Sequence, residues 1–195
     1  MSQASASVSV LVSAGLRIRR ANPADLPDIC RLRADALRGS ARQVHGEEVV
    51  EQLIARIGAF DRELLAEGTF FVAQIEGETV ACGGWSLREP SYMGGDIELP
   101  ALPGDADVPC LHGVFVHPLF IRNGIGSMML ERIDADLRTQ GFARARLAAT
   151  LSAERFFAER GWRRQGAVFG ALKGGLVFVG MGLEKRLASD LRLAA

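Results

Sequence analysis

FVHPLFIRNGIGS, Phe115 to Ser127, carries an apolar stretch of strand character into Pro118 and then into Gly124 and Gly126, where a helical pattern begins. A helix that starts behind Gly-x-Gly leaves several backbone N–H groups without intrahelical partners, and together they form the positive end of the helix dipole. Glycine at 124 and 126 removes β-carbons that would hold a phosphate away, and it permits the backbone angles that let successive N–H groups converge. Arg122 adds a cation beside them. A bare Gly-x-Gly also serves as an ordinary tight connection, so these residues alone leave both readings open.

What is missing excludes two nucleotide motifs. A P-loop needs Gly-Lys-Ser/Thr, whereas the only lysines are Lys173 and Lys185. A dinucleotide fingerprint needs a third glycine where Met129 stands, on an early strand of a parallel unit.

Outward from the loop, the chain reads as alternating strands and helices. Leu16 to Arg20 alternates apolar with basic residues, the pattern of a half-buried strand. Asn22-Pro23-Ala24-Asp25 supplies an N-cap, a first-turn proline and a first-turn acid for a helix to about Leu37, broken at Gly39-Ser40. A second helix is expected from Glu47 to Ile57, ending at Gly58, with a short helical piece over Asp61 to Ala66. Thr69 to Ile75 and Val80 to Leu87 read as a hairpin around Glu76-Gly77. Arg88 to Pro109 reads as a long loop, Leu111 to His117 as a strand and Gly124 to Arg138 as a helix. Ala143 to Ala149 is a strand, Ser152 to Arg160 a helix, and the last strands span roughly Trp162 to Val168 and Gly175 to Leu183. The expected fold class is α/β, a mixed sheet with helices on both faces.

Size and charge bound the function. A chain of 195 residues suits one buried domain, here 15–188, between a flexible N-terminal tail, 1–14, and a C-terminal tail, 189–195. With 23 basic and 23 acidic residues the net charge is zero, which gives no basis for bulk attraction to nucleic acid. Cys30, Cys82 and Cys110 form no Cys-x-x-Cys pair, so neither a disulfide framework nor a metal site is expected, and they read as small buried residues. That usage fits a cytoplasmic protein, and no apolar run is long enough to span a membrane.

Val116-His117-Pro118 followed by Arg122-Asn123-Gly124-Ile125-Gly126-Ser127 and Leu130 resembles the acetyl-coenzyme A loop of the GNAT superfamily of N-acetyltransferases. The resemblance extends to Arg17-Ile18-Arg19-Arg20-Ala21 with Asp25-Leu26-Pro27, to the hairpin Phe70 to Ala73 and Ala81 to Ser86, and to Ser152 through Trp162. It implies about seven mostly antiparallel strands with a splayed central pair. It also implies an acetyl transfer from acetyl-coenzyme A to a primary amine of a small molecule or protein, by direct attack. In this reading Val114, Phe115, Val116 and His117 pair with the pantetheine arm. The Val116 N–H donates to the oxyanion, and Ile121, Arg122, Asn123, Gly124, Ile125, Gly126 and Ser127 hold the pyrophosphate. The family often forms dimers, so a homodimer is a candidate partner state.

Two departures stand out. Ile121 occupies the first Gln/Arg position of the family pattern, with arginine displaced to Arg122. Phe157, read as lying against the cofactor, falls where many members have the tyrosine that protonates the leaving thiol. A thiol with an ordinary pKa of about 8.5 leaves tolerably as thiolate, and water or Ser152 is the stand-in proton donor. His112, two residues from Val114 and expected on the same face, is the candidate general base. His45 is either a substrate contact or an exposed residue. The acidic loop residues Glu89, Asp96, Glu98, Asp105 and Asp107 could draw a cationic amine or simply be solvated. The alternatives are an acyl-coenzyme A-binding regulatory module of the same fold with little turnover, and, from another class, a nucleotide-binding domain built on Gly124 and Gly126.

Overall fold

The structure, a computed structural model, describes residues 15–40, 42–88 and 107–187. The acidic residues Glu89, Asp96, Glu98 and Asp105, together with Tyr92 and the two tails, lie outside the described residues.

β1 (Arg17–Arg20) leads into a 3₁₀ turn, Pro23–Asp25, and α1 (Leu26–Ser40). The expected cap forms: Asn22 Oδ1 accepts from the Ala24 N–H at 2.9 Å, and Asp25 Oδ2 accepts from the Asn22 N–H at 2.8 Å. Arg19 grips the same carboxylate with two donors, at 2.7 and 2.6 Å. That bidentate bond comes first among the causes that hold the Asp25 carboxyl below the ordinary carboxylate range. α1 buries Ile29, Leu32, Arg33, Ala36 and Leu37 and continues through Gly39-Ser40, where the Ser40 hydroxyl donates back to the Ala36 carbonyl at 2.7 Å.

After α2 (Arg42–His45), α3 (Glu47–Glu67) is a single helix, which corrects the expected break at Gly58. A helix-interior glycine costs only about 1 kcal/mol relative to alanine. Burial of Val50 and Leu53 before it and Leu64 and Leu65 after it outweighs that cost. The helix ends at Gly68, whose N–H returns to the Leu65 carbonyl.

β2 (Phe70–Ile75) and β3 (Glu78–Ser86) form the expected hairpin. Then come β4 (Cys110–Val116), α4 (Ile125–Thr139), β5 (Arg144–Thr150), the short α5 (Glu154–Ala158), β6 (Arg163–Ala171) and β7 (Val177–Arg186). The strands form one sheet in the order β1-β2-β3-β4-β5-β7-β6, antiparallel except for the β4/β5 pair. α4 packs one face with Ile125, Met129, Leu130, Ile133 and Leu137 against Phe71, Ala81 and Leu147. α1 and α3 cover the other face, meeting Phe70, Val72 and Cys82.

Two irregularities in β4 position the site. Between Cys82 and Gly84 of β3 the register slips by one, so Gly83 alone faces Gly113 and Val114, and Gly113 takes φ +58°. This bulge reverses the side-chain alternation. His112 and Val114 therefore point to opposite faces, contrary to the expectation from an uninterrupted strand. β4 also pairs with β5 at only one position, Cys110 opposite Arg146. Beyond it the two strands diverge.

Candidate active site

The divergence opens a cavity of about 960 Å³ that passes through the sheet between β4 and β5. Its walls come from α1, β4, β5, the loop before α4, and α5, and they include Arg33, Val114, Phe115, Val116, Leu147, Phe156 and Phe157.

Hydrogen bonding in β3 decides which β4 groups face this split. The His117 N–H donates to the Val80 carbonyl at 2.9 Å, and Val116 and Phe115 lie opposite Ala81 and Cys82. Successive residues of an antiparallel strand direct their N–H and C=O alternately to one neighbour and the other. Phe115 and His117 therefore serve β3, and Val116 turns its N–H and C=O toward the split. Of Val114, Phe115, Val116 and His117, the four residues expected along the pantetheine arm, Phe115 and His117 thus direct their backbone groups to β3. The His117 ring is also engaged locally: its Nδ1 accepts from the Leu119 N–H at 3.2 Å and caps the 3₁₀ turn Pro118–Phe120.

At the end of β4, α4 begins with Gly124 as N-cap at φ +81°, with no side-chain cap and no acid in its first turn. The first intrahelical bond runs from the Met128 N–H to the Gly124 carbonyl at 3.1 Å. The N–H groups of Ile125, Gly126 and Ser127 therefore precede the helical ladder. The two glycines act differently. Gly124 adopts a left-handed conformation that a side chain would strain, with open space around it. Gly126 makes room for a ring: a β-carbon there would lie 3.0 Å from Phe156 Cζ and 3.5 Å from Val116 Cγ2. Ile121 and Arg122 line the cavity and are exposed. Asn123 instead braces the loop, its Nδ2 donating to the Ile121 carbonyl at 3.1 Å, and the Ile125 side chain belongs to the core.

Arg160, which follows α5, was not singled out in the sequence. Its Nη2 and Nε donate to Ser127 Oγ at 2.7 and 3.1 Å, and its Nη1 donates to the Phe156 carbonyl at 2.7 Å. Its Cζ stands 3.9 Å over the Phe156 ring. An arginine beside a helix-ending glycine ordinarily reads as a complement to its own helix dipole. Only folding turns it toward another helix.

Phe157 is buried, edge-on to Phe156 at 5.2 Å and to Trp162 at 6.0 Å between ring centroids, and it lines the cavity. Ser152 is exposed on the cavity wall, its Oγ 3.1 Å from Thr150 Oγ1. His112 does not line the cavity. It is buried, and its pKa is pushed down to about 3, first by burial and then by the Arg33 charge, with Arg146 adding to the effect and a backbone bond to Arg88 opposing it. A base that weak gains little by accepting a proton near neutrality. His45 stacks on Phe178 at 4.9 Å, and burial lowers its pKa too. Cys82 and Cys110 are buried as expected, whereas Cys30 is half-buried. Burial pushes the Cys82 thiol up to about 12. Among the described residues no group of three His, Cys, Asp or Glu is placed to hold a metal, and no helix is long and apolar enough to cross a membrane.

A through-sheet slot with a free strand edge, ending at an uncapped helix N-terminus, suits a long ligand with an extended amide-bearing arm and an anionic end. Residues 28–162 match the model of the acetyltransferase (GNAT) family. Among solved structures, a GCN5-related N-acetyltransferase from Rhodopseudomonas palustris superposes with a TM-score of 0.67 at 18% identity, covering 89% of this chain and 97% of that one. PaiA N-acetyltransferase from Thermoplasma acidophilum, in complex with coenzyme A, gives 0.65 at 14% identity over 88% and 98%. YncA from Salmonella typhimurium, with its cofactor acetyl-CoA, gives 0.59 at 19% identity over 93% and 99%. No curated protein matches the chain. At these identities the structural likenesses establish the fold, while the family match covers most of the sequence. This chain belongs to the acetyltransferase (GNAT) family and is an acyltransferase that uses acetyl-coenzyme A as its cosubstrate.

Proposed function

We propose that the protein transfers the acetyl group of acetyl-coenzyme A to a primary amine by direct attack within the β4/β5 split. The observation that carries this reading is the single-residue β4/β5 pairing, which leaves the Val116 backbone facing the cavity just before the uncapped start of α4.

The cosubstrate supplies an acetyl group activated as a thioester. The amine nitrogen bonds to the acetyl carbon, the carbon–sulfur bond breaks with its electron pair going to sulfur, and the surplus proton leaves the nitrogen. The Val116 N–H is the donor for the charge that develops on the carbonyl oxygen. Val114 and Val116 offer the strand edge for the pantetheine arm. The first-turn N–H groups of α4, at Ile125, Gly126 and Ser127, receive the pyrophosphate. Among the described residues the cavity wall holds no histidine, and its one carboxylate, Glu159, is exposed. With His112 off the cavity wall, water is the proposed acceptor of the amine's proton. Ser152, which lines the cavity, or water beside it, is the proposed proton donor to sulfur, since Phe157 has none to give.

The test is thermal unfolding with acetyl-coenzyme A, coenzyme A and ATP, followed by thiol release over an amine panel. A ligand bound only by the folded state raises the midpoint, by about 2.7 kcal/mol of added stability at a hundredfold excess over Kd. Stabilisation by the coenzyme A species but not by ATP, with amine-dependent thiol release, is expected. A well-folded protein unmoved by coenzyme A would refute the site. Binding without release against any amine would favour a regulatory acyl-coenzyme A module, the role that Phe157 in place of a tyrosine suggests.

A further inference from the structure

Arg160 places a guanidinium beside the N-terminus of a helix, where a cation is ordinarily unfavourable because the helix dipole presents its own positive end there. Nothing in the first turn of α4 offsets this: it has no acid and no side-chain cap. The nearest carboxylate, Glu159 Oε2, stands 4.0 Å from Arg160 Nη1, and its own Oε1 is taken by Arg155 Nε at 2.9 Å. Yet Arg160 is held in place by Ser127 Oγ, the Phe156 carbonyl and the Phe156 ring, with its side chain 29% exposed on the cavity wall. Two positive features fixed side by side at the mouth of a cavity are stabilised together by an anion that joins them. In the loop itself Ile121 is apolar, and Arg122, which also lines the cavity, is exposed with φ +65°.

We propose that Arg160 binds the pyrophosphate of coenzyme A from the turn after α5, supplying the charged side-chain contact that Ile121 cannot make. The inference rests on the reading that the start of α4 receives the cofactor's phosphates. Ser127 anchors the guanidinium through Nε and Nη2, which places its charge over the first helical turn rather than at the rim. That position favours the pyrophosphate over the 3′-phosphate of coenzyme A. Nη1 and Nη2 each retain a second hydrogen for a phosphate oxygen.

Isothermal calorimetry with coenzyme A, dephospho-coenzyme A and pantetheine, on the wild type, Arg160→Met and Arg160→Lys, tests this. Ligand-free melting curves show that each variant is folded. Arg160→Met is expected to weaken coenzyme A and dephospho-coenzyme A alike, by about ten- to a hundredfold, the range for a lost charge-assisted hydrogen bond. Pantetheine, which has no pyrophosphate, should bind as to the wild type. Arg160→Lys, which keeps the charge, should recover part of the loss. Equal weakening of all three ligands would make Arg160 a brace for Phe156 and overturn the proposal, as would an unchanged affinity. A loss confined to coenzyme A would move the contact to the 3′-phosphate and overturn the assignment to pyrophosphate. A wild type that binds coenzyme A while Arg160→Met binds it equally well removes Arg160 alone, whereas a wild type that binds none removes the α4 site itself.

Discussion

Gly126 lacks a β-carbon because the Phe156 ring occupies that space, and this makes the glycine a test of how the cavity is packed. In Gly126→Ala the new methyl would sit 3.0 Å from Phe156 Cζ and 3.2 Å from Cε2, so the ring must shift and carry with it the face on which Arg160 stacks. Overpacking of this kind costs about 1–3 kcal/mol. Urea unfolding should register that loss, and calorimetry should register weaker coenzyme A binding. Unchanged stability and affinity would mean that the ring yields freely. Phe157 poses the opposite question, a missing group. It lines the cavity, and in the proposed mechanism Phe157→Tyr is expected to bring a hydroxyl to the departing sulfur. At pH 7 kcat should rise at least about tenfold, below the usual range for general acid help. The advantage should shrink as pH passes the thiol's ordinary pKa of about 8.5. A gain that persists undiminished at pH 9.5, or no gain at all, would show that thiolate departure needs no acid here.

Individual elements are tied together by buried polar links as well as by apolar faces. Asp136 of α4 accepts from Trp85 Nε1 of β3 at 2.9 Å and from Arg20 Nη2 of β1 at 2.7 Å, with Arg132 Nη2 at 3.7 Å. One carboxylate thus ties the helix to two strands, β1 and β3, and through the helix it fixes the position of the α4 N-terminus at the cavity. Asp136→Ala leaves the buried Trp85 N–H without its acceptor and is expected to cost about 2–3 kcal/mol. Asp136→Asn, which keeps an acceptor but removes the charge, should cost less. Urea midpoints rank the two, and equal losses would show that packing rather than hydrogen bonding sets the effect. The β4 bulge works at the same scale. By turning His112 away from Val114 it withdraws the histidine from the cavity wall, and no single residue type announces that change.

For the whole molecule, pH exposes what burial has done. An unfolded histidine takes up a proton below about pH 6.5. The folded His112, pushed down to about 3, does not, so the unfolded chain binds more protons through this window. Stability contributed by the neutral ring is complete above about pH 6.5 and falls as pH drops toward 3, at up to about 1.4 kcal/mol per pH unit. Asp25 works in the same direction at lower pH. Its carboxyl is held down by Arg19, so its contribution is present above the unfolded value of about 3.9 and is lost as pH falls through the depressed folded value. Urea midpoints should therefore decline from pH 7 to pH 4.5, and His112→Gln should flatten that decline. A flat wild-type profile would mean that the buried ring finds a proton without unfolding. Catalysis should follow a different group. With no histidine on the described cavity wall, kcat/KM should rise with pH along the acceptor's own titration. Two amines of different pKa should give two different inflections, and one shared inflection near 6.5 would restore a histidine base.

The sequence by itself determined the order of elements, the hairpin, the Asn22/Asp25 cap and the strand–loop–helix unit from Phe115 to Ser127, because periodicity, turn chemistry and capping are local properties. It misplaced the break at Gly58, where a local penalty was overridden by burial of residues on either side. Only the tertiary structure decided that β4 and β5 part after one pair, that a bulge turns His112 from the cavity, and that Arg160 crosses from the turn after α5 to Ser127 of α4. Each of these joins residues far apart in the chain or depends on the register of a neighbouring strand, and neither is set until the sheet has formed.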